Sequence, residues 1–247
     1  MNKKVKFKDL GLIDYKKCWD YQEELFLGIL KVKSKNRKEN TDNLTNNYLL
    51  FCEHPHVYTL GRSGNSADIL VSRQVLRQIG AGVHHVDRGG EVTYHGPGQL
   101  VGYPIVNLRS RGMGPLEYVR SIETVLTKTL EGFGIRACNA DMPTGVWVGD
   151  HKVASIGVKV SKGVTAHGFA LNVSPDLSYF DHIVSCGMQG AMVTSMSSLN
   201  GIAYDVQSVG VSLEPNFGEV FGMDMVWSTL GGLSNFGFEG VLASSVR

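Results

Sequence analysis

Two side chains in one stretch of the chain could act as a nucleophile and a base. Lys152 begins an alternating apolar pattern, and Cys186 lies further along in a Ser-Cys-Gly loop. Alternation places Lys152 on the same strand face as Ala154 and Ile156, so we predict that this lysine points inward. A partly dehydrated lysine can serve as a base, and a nearby ammonium lowers the pKa of a thiol. The two residues could act as base and nucleophile if the fold brings them together.

The next predicted strand has one nearly bare face. Ala166, Gly168 and Ala170 share that face, which leaves room for a ligand against the backbone. On the opposite face, alternation groups His167 with Phe169. His167 is open to two interpretations, a core histidine with satisfied hydrogen bonds or a site residue.

A second polar stretch runs from Arg88 to Gln99 with the sequence RGGEVTYHGPGQ. Its Gly-Gly and Gly-Pro-Gly steps are turn signals around a very short strand. Glycines let a ligand approach the backbone, and functional side chains favour loops on a scaffold. The stretch therefore predicts a binding site, and the alternative is a hairpin with an exposed tip. It does not match the phosphate-binding pattern G-x-x-x-x-G-K-[ST].

Composition limits the classes of protein to which this chain can belong. The 247 residues have a formal net charge of +1, so no strong field points to nucleic acid. Four cysteines are spread along the chain without a C-x-x-C pair, which argues against a zinc ribbon or a disulfide framework. We find no secretory signal and no apolar run of membrane-spanning length. We therefore expect a cytoplasmic protein that binds neither nucleic acid nor membrane.

A metal site is one alternative that the spacing leaves open. Cys52, His54 and His56 alternate, so one strand face could offer three ligands. Pro55 breaks that regularity, and no fourth ligand is obvious.

The elements that must position these residues read as a mixture of strands and helices. Strands are expected over 5–10, 48–53, 57–60, 83–87, 100–108, 146–148, 152–160 and 164–173, and helices over 14–33, 72–79, 115–132 and 193–200. Residues 34–47 read as an exposed loop, and the pattern weakens beyond residue 201. We predict an α+β fold with a mixed sheet flanked by helices.

Several motifs together resemble one known family. The stretches RGGEVTYHGPGQLVGYPI, GVWVGDHKVASIGVKV, TAHGFALN and SCG, and also residues 53–62, closely resemble the lipoyl/octanoyl transferase family, lipoate-protein ligase B. The motifs keep a consistent order from about residue 5 to residue 199. The resemblance implies the fold of biotin and lipoate protein ligases.

The resemblance also implies an activity and its partners. The family moves an octanoyl chain from acyl carrier protein to a lysine on lipoyl domains of 2-oxoacid dehydrogenases or on the glycine cleavage H protein. It works through a thioester on the enzyme and needs no metal, nucleotide or other cofactor. Residues 1–200 would form the catalytic domain, whereas residues 201–247 match the family poorly and are expected to be partly disordered.

Family roles carry over to individual residues of this chain. Cys186 resembles the nucleophile, and Lys152 resembles the residue that lowers the pKa of that thiol. The substrate site would be lined by Arg88, Gly89, Gly90, Glu91, Val92, Thr93, Tyr94, His95, Ser155, Ile156, Gly157, Gly168, Phe169 and Ala170.

Two further functions share the expected fold. An ATP-dependent lipoate or biotin ligase would bind an adenylate and would not need Cys186, and the Gly-Arg-Gly-Arg loop typical of biotin ligases is missing. A non-catalytic acyl-binding protein would keep the pocket without needing both Cys186 and Lys152.

Overall fold

The computed structural model describes residues 2–138, 142–184 and 192–227. Within them the chain forms two β-sheets with helices packed on both faces of the larger sheet, as the α+β prediction requires.

The helices and strands have the following bounds. The strands are β1 (Lys4–Leu12), β2 (Asn47–Glu53), β3 (Val57–Leu60), β4 (Gly82–His85), β5 (Val92–His95), β6 (Gln99–Ile105), β7 (Val146–Val148), β8 (His151–Ser161), β9 (Val164–Asn172) and β10 (Asp224–Trp227). The α-helices are α1 (Tyr15–Glu39), α2 (Arg73–Gln78), α3 (Pro115–Gly132), α4 (Met196–Asn200) and α5 (Val206–Phe221).

The larger sheet is mixed. Its strand order is β10-β1-β2-β6-β9-β8-β7, with β1 parallel to β2 and to β10 and the other pairs antiparallel. A smaller sheet has the order β4-β3-β5. The loop from β4 to β5 therefore connects two strands of the small sheet and can reach the large one.

Two apolar layers fix the helices on the large sheet. On one face, α3 and α5 bury Ile122, Leu126, Leu213 and Phe217 against the strands. On the other face, α1 packs its apolar stripe against β2, β6 and β9. Burial at about 25 cal/mol per Å² of apolar surface makes these layers the main support of the fold.

Helix α1 is longer than the sequence pattern predicts. It continues through residues 34–39, which were expected to be loop, and ends where Asn40 adopts a left-handed conformation. Its last turns are polar all round, so they lack the apolar period that marks a helix. Lys35 and Glu39 pair one turn apart there, which supports helix without burial.

Helix α5 and strand β10 are elements that the sequence analysis does not predict. Asp205 accepts a hydrogen bond from the Ser208 backbone as N-cap, and the buried side chains recur every four residues: Val209, Leu213, Phe217 and Phe221. Pro215 and two glycines obscure this stripe in the sequence. Residues 206–227 thus belong to the same core and sheet as the preceding chain, while the boundary proposed at residue 200 stays a prediction.

A membrane-crossing role finds no support in the helices. No helix among the described residues has both the length and the apolar character that a membrane span requires.

Candidate functional site

A cavity with about 580 Å³ of space, partly open to solvent, lies between the large sheet and the loop before β5. Its lining includes every residue predicted to bind substrate except Tyr94. The other lining residues are Tyr15, Val101, Tyr103, Lys152 and His167. The structure thus brings together two motifs that are far apart in the sequence.

Tyr94 lies behind the cavity wall. Its side chain is 1% exposed, and its hydroxyl lies 2.8 Å from Nδ1 of His56. Its ring stacks on Tyr179 at 5.0 Å between centroids. Tyr94 therefore supports the small sheet rather than the cavity surface.

Arg88 holds the glycine-rich loop in place from inside. Its guanidinium is buried and donates to the carbonyls of Thr59 at 2.7 Å, Gly89 at 2.9 Å and Glu91 at 2.8 Å. A fork of several N–H donors can satisfy carbonyls in different directions at once. Arg88 thereby fixes the shape of the loop that forms one side of the cavity.

Glycines, which have no side chain, allow the loop to pack directly against the neighbouring strands. A Cβ on Gly61 would come within 2.2 Å of the Gly90 carbonyl oxygen, and one on Gly157 within 3.0 Å of Arg88 Cδ. The Gly89 backbone also donates to the Val158 carbonyl at 2.9 Å. The loop therefore needs Gly61, directly after β3, and Gly157, in β8, in order to pack against these two strands.

Lys152 is 5% exposed, in agreement with its predicted inward position. Its Nζ lies 5.1 Å from the centroid of the Trp147 ring, within cation–π range. Gly145, at φ +137°, makes room for the lysine, because a Cβ there would be 2.5 Å from Lys152 Cε. The Gly145 amide is held in turn by the buried Glu123 carboxylate at 3.1 Å.

Cys186 lies outside the described residues. The described chain on either side of residues 185–191 is anchored by hydrogen bonds: the Val184 amide donates to Asp68, and Met192 accepts from the Lys152 amide at 2.8 Å. The Thr194 amide then donates to the Lys152 carbonyl at 3.0 Å. The described residues that follow, Met192 and Thr194, therefore lie beside Lys152, and the pairing of Cys186 with Lys152 stays a prediction.

A chain of hydrogen bonds through two buried side-chain amides connects Thr194 with His95. Asn172 donates to the Thr194 carbonyl at 2.9 Å, and Gln99 donates to Asn172 at 3.0 Å and to the Tyr94 carbonyl at 3.2 Å. Gln99 Oε1 then lies 3.2 Å from His95 Nδ1. Burial lowers the pKa of His95 to about 3, so its ring stays neutral at physiological pH.

An ion-pair cluster lies at the end of the site away from Lys152. Asp87 Oδ1 lies 2.8 Å from His167 Nε2, and Asp87 Oδ2 pairs with Lys159. The hydrogen bond from His167, joined by Lys159, holds the pKa of Asp87 well below its usual range. Burial lowers the pKa of His167, which favours a neutral ring.

The predicted grouping of His167 with Phe169 is wrong. His167 has a left-handed φ of +57°, which interrupts the alternation, and its ring lies 6.0 Å from Trp19 of α1. Phe169 instead packs on Phe51 in the opposite layer. Alternation predicts side-chain direction only while φ stays extended.

Gly168 is small for a different reason from the one expected. A Cβ at this position would come within 2.0 Å of the Gly102 carbonyl oxygen on β6. Gly168 lines the cavity, but its missing side chain chiefly permits β6 and β9 to approach each other.

The metal alternative is wrong in its choice of ligands. His56 pairs with Tyr94, whereas Cys18 joins Cys52 and His54, with ligand atoms within 4.8 Å of one another. His54 Nε2 lies 2.8 Å from the Tyr103 hydroxyl, and burial raises the pKa of the Cys52 thiol. A neutral Cys52 thiol beside a hydrogen-bonded histidine is ordinary core packing.

The residues individually predicted to bind substrate do not include Tyr15, Asp87, Gln99 or Asn172. Asp87 directly precedes the stretch that begins at Arg88, Gln99 is its last residue, and Asn172 ends the TAHGFALN stretch, so the motifs themselves point to these three positions. Tyr15 is far from every motif, and only the packing of α1 against β6 and β9 places it at the cavity.

Comparison with known proteins gives the family. The model of the lipoyl protein ligase A/B catalytic domain matches residues 14–218. The chain belongs to this family. The octanoyltransferase of Flavobacterium johnsoniae is 47% identical over 207 residues, covering 82% of this chain and 89% of that protein. The octanoyltransferase of Christiangramia forsetii is 44% identical over 227 residues, covering 90% and 97%.

Solved structures of lipoate and biotin protein ligases share the fold. A lipoate-protein ligase A bound with ATP superposes with a TM-score of 0.67 at 15% identity, covering 92% of this chain and 89% of that one. A biotin protein ligase from Aquifex aeolicus superposes with a TM-score of 0.52 at 14% identity, covering 88% and 70%. These likenesses confirm the predicted fold.

Proposed function

We propose that the protein is an octanoyltransferase that moves an octanoyl group from acyl carrier protein to a lysine of a lipoyl-accepting domain. The supporting observation is the high identity to proteins named octanoyltransferase over most of both chains. The accepting proteins would be lipoyl domains of 2-oxoacid dehydrogenases or the glycine cleavage H protein. Because the chemistry needs a reduced thiol, we place it in the cytoplasm.

The first half-reaction forms a thioester on Cys186. The Cys186 thiolate attacks the carbonyl carbon of octanoyl-acyl carrier protein, a new C–S bond forms, and the carrier thiolate leaves. Lys152 as an ammonium stabilises the Cys186 thiolate and passes a proton to the leaving sulfur. No nucleotide is required, since the incoming thioester is already activated.

The second half-reaction forms the amide. The neutral amine of the acceptor lysine attacks the Cys186 thioester, a C–N bond forms, and the C–S bond breaks. The proton released by nitrogen goes to Lys152 or to the departing sulfur. Backbone N–H groups of the glycine-rich loop are candidates for stabilising the oxyanion in both steps.

The acyl chain would lie along the cavity away from Lys152. The six steps along β8 from Lys152 to Val158 span about 20 Å at 3.3 Å per residue. The lining along this length includes Tyr15, Tyr103, Ile156 and Ala170. Aromatic and aliphatic walls suit a saturated chain.

Intact mass spectrometry without ATP tests the proposal. Mixing the protein with octanoyl-acyl carrier protein should add one octanoyl mass, which hydroxylamine removes and Cys186→Ser prevents. Cys138→Ser is the matched control, because Cys138 is exposed and should not affect the adduct. An adduct that forms only with octanoate and ATP would instead establish the ATP-dependent ligase.

A further inference from the structure

The hydrogen-bond chain that ends at His95 fixes which ring nitrogen carries the proton. At one end, the Thr194 carbonyl can only accept, so Asn172 must present its NH₂ group there at 2.9 Å. Its oxygen then faces Gln99, whose NH₂ group donates to Asn172 and to the Tyr94 carbonyl. This leaves Gln99 Oε1 to face His95 Nδ1 at 3.2 Å, so Nδ1 bears the hydrogen.

The opposite edge of the ring is consequently an acceptor. Nε2 of neutral His95 carries a lone pair, and among the residues that the structure describes the ring forms a hydrogen bond at Nδ1 only. His95 is 7% exposed and lines the cavity. Its ring is held by stacking on Tyr15, at 10° between planes. Nε2 is not an enclosed unpartnered atom, so it is accessible from the cavity, where an N–H group of a bound ligand can replace water as its donor.

The position of His95 ties this acceptor to the reacting end of the cavity. Gln99 pairs with Asn172 across β6 and β9, and Leu171 pairs with Ala154 on β8. Asn172 therefore lies next to the strand position of Lys152, and Thr194 bonds to both Asn172 and Lys152. His167, whose Nδ1 also has no partner among the described residues, instead pairs across from Val158 at the far end.

We infer that Nε2 of His95 accepts a hydrogen bond from the amine of the acceptor lysine as it attacks the thioester. This inference rests on the proposed function. An attacking amine carries N–H groups that become more acidic as the C–N bond forms, so an acceptor there stabilises the transition state. The oxyanion needs donors instead, which Nε2 cannot provide. His95 orients the amine without taking the proton.

Two isosteric variants separate this role from a structural one. Asparagine places its NH₂ group near the position of Nδ1, so His95→Asn keeps the bond to Gln99 and loses the cavity acceptor. Glutamine places its amide near Nε2, so His95→Gln restores an acceptor there. The two rates to compare are octanoyl transfer from donor to Cys186 and transfer from Cys186 to a lipoyl domain, both in single-turnover mass spectrometry.

We expect His95→Asn to slow transfer to the lipoyl domain about 10- to 100-fold more than it slows acylation of Cys186. His95→Gln should recover most of that loss. Equal slowing of both steps without recovery in His95→Gln would overturn the inference in favour of a structural role. Failure of the unaltered protein to form any thioester would instead refute the proposed function.

The tautomer gives an independent test on the unaltered protein. Nitrogen-15 NMR of labelled histidine should show a protonated Nδ1 and an unprotonated Nε2 for His95. A proton on Nε2 would overturn the inference even if the variants do not fold.

Discussion

The two ends of strand β8 carry a lysine each, and the two lysines have different surroundings. Lys152 is buried beside the Trp147 ring and next to the chain that leads to Cys186. Lys159 is neutralised by Asp87, which also binds His167. The near end is therefore equipped with groups that can act on a substrate, whereas the far end forms a closed ion-pair cluster. We therefore expect the chemistry at the Lys152 end of β8 and a structural role at the Lys159 end.

Replacing the two lysines separately gives the largest expected effect. Lys152→Ala should lower octanoyl transfer about 10²- to 10⁴-fold, the range of a lost acid–base group. It should also raise the pKa for alkylation of Cys186, because a nearby positive charge is gone. Turnover assays and the pH profile of iodoacetamide labelling measure these effects.

Lys159→Ala is the matched control on the same strand. It should keep activity within about threefold, since Lys159 is not among the cavity-lining residues. Equal losses in the two variants, or an unchanged alkylation profile in Lys152→Ala, would contradict the division of β8 into a reacting end and a supporting end.

Replacing Gly168 of β9 or its cross-strand partner Gly157 of β8 gives the next largest expected effect. Gly168→Ala should destabilise the fold by about 2–4 kcal/mol, because its Cβ would meet the Gly102 carbonyl at 2.0 Å. Gly157→Ala should cost less, about 1 kcal/mol, since its Cβ would lie 3.0 Å from Arg88 Cδ and 3.1 Å from the Gly89 carbonyl oxygen, so the loop has to shift by only a few tenths of an ångström. It should mainly raise KM for the octanoyl donor by displacing that loop.

Urea unfolding and donor kinetics on both glycine variants check this difference. A stable Gly168→Ala with an impaired KM would support the original interpretation, in which the small face admits the acyl chain directly.

Most of the cavity-lining residues can be predicted from the sequence, because they lie in short motifs whose pattern depends only on neighbouring residues. Alternation in β8 gives the inward Lys152, and the glycine density after Arg88 gives the loop. The inward direction of the Arg88 side chain is not local, because it depends on Thr59 from a strand far away in the sequence. The same is true of Tyr15, which only the docking of α1 brings to the site.

Backbone conformation explains two of the remaining differences. The left-handed φ of His167 reverses its side chain, and residue type alone does not reveal such a φ in a strand. Helix α5 is missed because Pro215 and glycine lower its helix propensity, whereas burial of Val209 and Phe217 against the sheet stabilises it. Tertiary packing overrides local preference at both places.

The smallest expected effect tests whether the far end is only supporting. Asp87→Asn should destabilise the protein by about 1 kcal/mol at pH 7, because it weakens the bond to buried His167, while the 40% exposure of Asp87 limits the ion-pair loss. The pKa of Asp87 is depressed in the folded state. Its contribution is therefore fully present above its unfolded pKa of about 4 and is lost as pH falls towards the folded pKa.

Urea unfolding between pH 3 and pH 7 should show the difference between Asp87→Asn and the unaltered protein shrinking below about pH 4. The rate of Cys186 acylation, expressed as an activation free energy, should change by less than the free energy of unfolding does. If Asp87→Asn stopped acylation while the free energy of unfolding stayed constant across that range, the far end would take part in the chemistry. The contrast between the two ends of β8 would then be wrong, and His167 would have to be considered as a second group that acts on the substrate.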